Sequence, residues 1–301
     1  MDFLNWLGAM PGAAAQGMIW GIMAIGVYIT FKILDLADLT VDGSMVTGMA
    51  TCAMLMAAGW NVWPAMLVAF IAGMLAGLVT GLFHTVMGIP AILSGILTQL
   101  ILWSVNLKIM GKANQALPAR NFDVLLTQLR KYEALVYLFL IVVVLIALLY
   151  WFFGTRYGMS IRATGCNEKM SRAQGINTNK NKVVGLALSN GIVAFAGSLL
   201  AQYSGKADIS DGRGAIVIGL AAVIIGEAIV SRMGQNFVIR LIGVMLGGIV
   251  YYIVYQTVIF LGLDTDLLKM LSAIVVAIFL AVPNLKRTYF AKPVKRTKEA
   301  A

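Results

Sequence analysis

The chain has 301 residues, of which 60% are hydrophobic and only 12% charged, and its mean hydropathy is +0.87. An ordinary globular domain carries about 25% charged residues, so both a water-soluble enzyme and a disordered chain are excluded. The formal net charge of +10 does not point to nucleic acid, because the basic residues lie between apolar spans and at the C-terminus. Anionic headgroups and the positive-inside bias account for them there.

The inventory removes further chemistries. Cys52 and Cys166 are the only cysteines and His84 the only histidine, too few for a disulfide framework or a histidine-based metal site. No G-x-x-x-x-G-K-[ST] loop is present, so the chain itself is expected to bind no ATP or other cofactor. The first ten residues lack a basic n-region, and no cleavable signal peptide is expected.

A span needs about 20 mostly apolar residues. Nine candidates follow in chain order: 12–31, 43–59, 64–83, 89–107, 134–153, 183–203, 215–231, 237–262 and 266–283. Trp60, Trp63, Trp151 and Tyr289 lie near span ends, as interfacial aromatics do. Gly73, Gly77 and Gly81, four residues apart, predict tight helix packing. The expected fold is an all-α membrane protein of about nine transmembrane helices with an inverted internal repeat and broken helices. It forms one transmembrane domain, with half-repeats at 12–107 and 134–283.

Charge sets the direction. The 154–182 loop holds Arg156, Arg162, Lys169, Arg172, Lys180 and Lys182, and the 284–301 tail is also strongly basic. Both are expected on the cytoplasmic side of the cell (inner) membrane, which puts the N-terminus outside. The 108–133 loop, with five basic residues, is then outside, and its amphipathic stretch Val124 to Tyr132 is expected on the membrane surface.

Three polar segments interrupt the apolar pattern at membrane depth. They are Asp35 to Ser44 (with Asp38, Thr40 and Asp42), Asp208 to Gly214 (with Asp211), and Glu227. Carboxylates so near hydrocarbon need a cavity, a partner charge or an interface. Asp-Gly before a new helix predicts a broken helix with the Asp as its cap. The charge-based topology places Asp42-Gly43 facing inward and Asp211-Gly212 facing outward, as an inverted repeat would. Pro90 opens the fourth span, and Thr98, Gln99 and Asn106 run down it. Pore lining and interhelical hydrogen bonding are equal readings of these three. Gly219, Ala221, Ala222, Met45 and Met49 would form an apolar wall near the breaks, or ordinary core.

The segment from Ser160 to Asn177 predicts a short amphipathic helix between glycines, with Asn167 as its N-cap and Gly175 as its stop. Here the chain resembles the integral permeases of ABC importers in the branched-chain amino acid and ribose group. The family signature R-A-x-G-x-N-x-x-x-A-x-x-x-G-I-N is matched by Arg162, Ala163, Gly165, Asn167, Gly175, Ile176 and Asn177, with Ser171 in the place of its Ala. Asp38 to Ser44 is similar to the family's D-L-S-V-G-S with Asp42 inserted. Ile89-Pro90-Ala91-Ile92 is similar to its I-P-A-F, and Gly219 to Glu227 to its A-A-V-V-L-G-G span.

The resemblance implies that the region 165–177, with Arg162, Gly165, Asn167, Glu168, Ala173, Gly175, Ile176 and Asn177, couples to an ATPase. It implies a translocation path along Asp38, Thr40, Asp42, Ser44, Pro90, Thr98, Gln99, Asp211 and Glu227. It implies cytoplasmic ATPase subunits carrying ATP and Mg, an extracytoplasmic solute-binding lipoprotein, and a core that is a homodimer or a pair with a second permease. This chain would not itself be an enzyme. The family has ten spans, and this chain lacks the first. The 211–227 stretch resembles a subgroup linked to aromatic amino acid uptake. Two other readings stay open. Asp35, Asp38 and Asp42 have the spacing of a membrane prenyltransferase's Mg-diphosphate site, and Glu227 suits an ion-coupled carrier.

Overall fold

The computed structural model describes residues 3–117, 124–230 and 236–260, with isolated helical positions at 270, 274, 277 and 281. The expected span 266–283 lies almost wholly outside the described residues, as do Tyr289 and the basic tail. Helix dominates because a backbone in hydrocarbon must satisfy its own polar groups within the segment.

Helix α1 (Phe3–Tyr28) runs into a π-helical turn, Ile29–Ile33. It is followed by α2 (Val41–Ala57), α3 (Val62–Thr85), α4 (Ala91–Met110) and α5 (Lys131–Gly154). Next come α6 (Arg156–Cys166), α7 (Glu168–Ala173), α8 (Thr178–Ser204), α9 (Ala215–Val230) and α10 (Phe237–Phe260). A two-stranded antiparallel ribbon, β1 (Asn114–Ala116) against β2 (Lys206–Asp208), closes one end. The opposite end carries α6 and α7.

Among the described residues, six helices are long and apolar enough to cross a membrane. Two of the expected spans are not: α2 has 17 residues and α9 has 16. Their apolar runs hid a non-helical approach at 34–40 and 205–214. The stretch Val124 to Tyr132, expected on the membrane surface, is mostly non-helical before α5. Only the 3₁₀ turn Gln128–Arg130 precedes α5, because Thr127 caps that turn through Leu129 N–H.

Long helix α8 is the spine. It lies against α3, α2 and α1, and its small residues allow the approach. On α3, the glycine stripe works as expected: a side chain at Gly73, Gly77 or Gly81 would run into Asn190 and Ala194, Leu186, or Val183 respectively. Helix α1 is antiparallel to α8, with Gly12 at Tyr203 and Gly26 at Ser189. Helix α2 runs parallel to α8, from the Ser44–Asn190 contact to Cys52–Gln202. Helix α9 runs with α1, from Gly219 beside Val27 to Glu227 at Lys32. So α2 and α9 point in opposite directions from a common start.

The outer faces of α3, α4 and α5 are apolar and exposed, with Leu67, Leu75, Ile101 and Val144 among them. An apolar groove of about 740 Å³ lies between α3, α5 and α8. Trp60, Trp63 and Trp151 are exposed at helix ends, where amphipathic rings sit at a lipid–water boundary.

The end assignment is testable by labelling. Cys52 is buried and silent, while Cys166 is exposed on the α6 end. Gly205 has φ of 69° and suits no side chain, but Lys112 at the ribbon end is exposed. An impermeant maleimide added outside cells should label Lys112→Cys and leave Cys166 unmodified; the opposite pattern would invert the protein in the membrane.

Candidate functional site

The two broken helices begin at the same place. Asp42, in the first turn of α2, accepts the N–H of Gly214 and of Ile216, both at 2.9 Å. A carboxylate from one half-helix thus caps the N-terminus of the other, where the backbone dipole favours an anion. This corrects two expectations. Asp42-Gly43 and Asp211-Gly212 are not on opposite faces but in contact, since a side chain at Gly212 would meet the Asp42 carbonyl. Nor does Asp42 cap its own helix: Thr40 stands at that position without a side-chain cap bond. Charge counting reads only loop ends and is blind to chain that re-enters to mid-depth.

Beneath this junction lies a closed polar network. Asn190, near the middle of α8's 27 residues, donates to Asp38 Oδ2 at 2.7 Å and accepts from the Ser44 hydroxyl at 2.6 Å. Asp38 Oδ1 accepts the Thr40 N–H at 2.9 Å, and the Thr40 and Thr80 hydroxyls share a 2.7 Å bond. All five side chains are buried. Asp38, Thr40 and Ser44 therefore do not line a passage in this conformation; they fasten the non-helical 34–40 segment to α3 and α8. Sequence reading missed Asn190 and Thr80, although an Asn inside an apolar span was the available signal.

The remaining path residues scatter. Thr98 is buried and donates to the Ser94 carbonyl, and Asn106 donates to the Gly43 carbonyl at 3.3 Å. Only the Asn106 bond, from α4 to α2, is interhelical; the Thr98 bond stays within α4. Pro90 is exposed at the start of α4. Asp211 lies 3.7 Å from Lys206, which also reaches Asp208. The Asp208 carboxyl sits below its usual range: partial burial raises it, but two bonds from Ser210 and the nearby Lys206 outweigh that. Glu227 pairs with Lys32 at 2.9 Å at the α6 end. Met45, Met49, Ala221 and Ala222 are buried, and Gly219 packs on Met23 and Val27. Those five are core and not a passage wall.

Gln99 and Asn106 of the α4 trio join the junction. With Asp42, Gly43, Val46, Trp103, Ile209, Gly212 and Arg213 they enclose a cavity of about 20 Å³. The spacing of the prenyltransferase-like carboxylates does not become a site. Asp35 is exposed with φ of 54°, Asp38 faces Asn190 and Asp42 faces α9.

The signature segment forms two helices where one was expected. Asn167 separates α6 from α7 and caps α7 by accepting the Met170 N–H at 3.0 Å. Gly175 ends the turn with φ of 78°, a value a glycine adopts freely. Asn177 likewise caps α8 through Lys180 N–H. Glu168 ties α7 to α8: it receives Arg172 at 2.7 Å, Lys182 at 2.9 Å and Thr178 at 3.3 Å. The Lys182 ammonium, with Arg172 and Thr178, holds its carboxyl below the usual range.

Gly165 faces inward, against the Ile33 carbonyl at the end of the π-helical turn, and Ser171 is fully buried. The outward side presents Lys169, Met170, Ala173, Gln174 and Gly175. Ile176 is half-buried behind it. Arg162 lies 5.3 Å over the Phe237 ring of α10. Among the residues expected to couple to the ATPase, then, Gly165 and Glu168 position the segment, and Ala173 and Gly175 lie on its exposed face.

The chain is similar to several known proteins. The tyrosine transport system permease protein of Clostridioides difficile is 37% identical over 270 residues, covering 90% of each chain. An uncharacterized protein of Rickettsia prowazekii is 32% identical, covering 91% of this chain and 97% of its own. The autoinducer 2 import system permease protein of Escherichia coli is 28% identical over 70% of this chain and 60% of its own. No solved structure matches. The family described as the permease component of the branched-chain amino acid transport system matches residues 10–282. Nearly the whole helical bundle lies inside that match, and the chain belongs to this family of ABC-importer permeases, multi-pass proteins of the inner membrane.

Proposed function

We propose that the protein is the membrane subunit of an ATP-driven importer for amino acids with aromatic side chains, tyrosine and tryptophan first. The single observation that carries the coupling role is the 156–177 segment. It is clamped to α8 by Glu168 and seated on the end of α1 by Gly165, yet its outer face is free. A rigid, short, exposed helix with Ala173 and Gly175 outward suits a cleft in a cytoplasmic ATPase, which supplies ATP and Mg.

In this reading the α6 end and the C-terminus are cytoplasmic and the N-terminus is outside. A solute-binding lipoprotein delivers the solute to the ribbon end, and two copies of the permease form the core. The match to a tyrosine permease at 37% identity supports the solute class, together with the 211–227 stretch. An ion-coupled carrier would need a carboxylate free to titrate at membrane depth, and Glu227 is ion-paired with Lys32.

Gly175→Arg or Ala173→Glu should abolish uptake while the protein still reaches the membrane, because charge on the docking face resists desolvation. Copurification with the ATPase checks this, and unchanged copurification and transport would contradict it. The solute is tested by deleting the gene and following labelled tyrosine, tryptophan, leucine and ribose. Loss of tyrosine and tryptophan uptake is expected. Loss of ribose or leucine uptake with the aromatic pair untouched would discard the solute and keep the importer.

A further inference from the structure

The junction where α2 and α9 begin holds features that fold stability leaves unexplained. Asn106 is buried, 1% exposed, and its Nδ2 is used by the Gly43 carbonyl, but its Oδ1 has no partner. A buried acceptor left alone is costly unless a donor visits it. Asn106 lines the cavity of about 20 Å³, a volume that admits one group the size of a water or an ammonium. Asp42 lines the same cavity, and its carboxylate has acceptor capacity beyond its two amide bonds.

At the mouth the chemistry changes sign. Arg213 is exposed and its guanidinium lies 4.5 Å from the Trp103 ring centroid. A cation immediately before α9 works against that helix's dipole, so helix stability does not account for it. Guanidinium forks match carboxylates, and indole faces take aromatic rings. Gln99 adds a neutral donor and acceptor on the same wall.

We infer that this junction is a recognition point for the transported solute, an α-amino acid carrying a ring. The solute's ammonium enters the cavity and donates to Asn106 Oδ1 and Asp42. Its carboxylate meets Arg213, and its ring lies along Trp103. Specificity in the importer then has a checkpoint in the membrane in addition to the binding protein. The point lies where the two half-helices touch, so an amino acid occupying it bears on both halves at once. This inference deepens the importer reading above and rests on it.

The test uses the complete transporter, permease with its ATPase and binding protein, in proteoliposomes. Initial rates are measured for labelled tyrosine and leucine, and ATP hydrolysis is measured without solute. Trp103→Leu should lower tyrosine transport at least about tenfold and leucine transport much less, and Trp103→Phe should restore most of the loss. Arg213→Gln should slow both solutes, with Arg213→Lys partly active; solute-free ATP hydrolysis reports whether each variant complex has assembled.

Tyrosine and leucine rates within about twofold of the unaltered complex in every variant would overturn the inference. So would unchanged transport by Asn106→Leu, which would make the cavity a place for one water only. If Trp103→Leu fails to reach the membrane, Arg213 on its exposed turn still decides. An unaltered complex that carries no amino acid at all would overturn the importer's solute as well; normal tyrosine transport with unaffected variants would overturn the checkpoint alone.

Discussion

Gly165→Val is expected to destabilise the permease by about 3 kcal/mol or more and to release it from its ATPase. A Cβ at this position would fall on the Ile33 carbonyl, which is backbone and has no rotamer to yield. Helix α6 would have to lift off the π-helical turn, and α7 moves with it because Asn167 is the only residue between them. The matched control is Gly154→Ala. Nothing lies within 4 Å of a Cβ there, so a change within about 0.5 kcal/mol is expected. Thermal unfolding in detergent and copurification with the ATPase measure both. Equal behaviour of the two variants would mean that α6 does not rest on α1.

Asp38→Ala should cost about 2–4 kcal/mol, because it strips partners from two buried donors. The Thr40 N–H loses its acceptor entirely, and Asn190 Nδ2 keeps only the Leu186 carbonyl. The 34–40 segment, whose backbone is tied back to the π-helical turn only through the Leu34 and Leu36 N–H groups, would come loose from α3 and α8. Asp38→Asn retains one acceptor and should cost less. Asp35→Asn is the contrast: that carboxylate is exposed, and its φ of 54° is one that Asn tolerates. Expression level and unfolding temperature of the three variants rank them. If Asp38→Ala folds as well as Asp35→Asn and only transport falls, the network belongs to the passage and not to the fold.

Much of the architecture was legible because hydrocarbon leaves so few options. Apolar length located α3, α4, α5, α8 and α10 to within about five residues at each end, and the body of α1, which begins at Phe3 and so well before the expected span 12–31; the Gly73–Gly77–Gly81 stripe announced the α3–α8 contact. Asn167 and Gly175 marked α7 through caps that depend only on neighbouring residues. What failed was whatever depended on depth. Residues 43–59 and 215–231 have the composition of complete spans, but the chain reaches them through non-helical segments, so α2 and α9 start in the middle of the bundle.

That meeting of two distant segments also explains the misread carboxylates. Asp42 and Gly214 are 172 residues apart in sequence, and no local pattern joins them. Asp38 read as a path residue because a carboxylate in a span signals function, and only the position of Asn190 on α8 shows what satisfies it. Glu168 was taken as part of the docking surface. Its ties to Arg172, Thr178 and Lys182 make it the clamp behind that surface.

The most direct measurement is tyrosine accumulation in proteoliposomes holding the permease with its ATPase inside and its binding protein outside. Accumulation against a gradient that requires luminal ATP, and that persists with proton and sodium gradients collapsed, is the predicted result. Accumulation by the permease alone under an ion gradient, with ATP making no difference, would contradict the account.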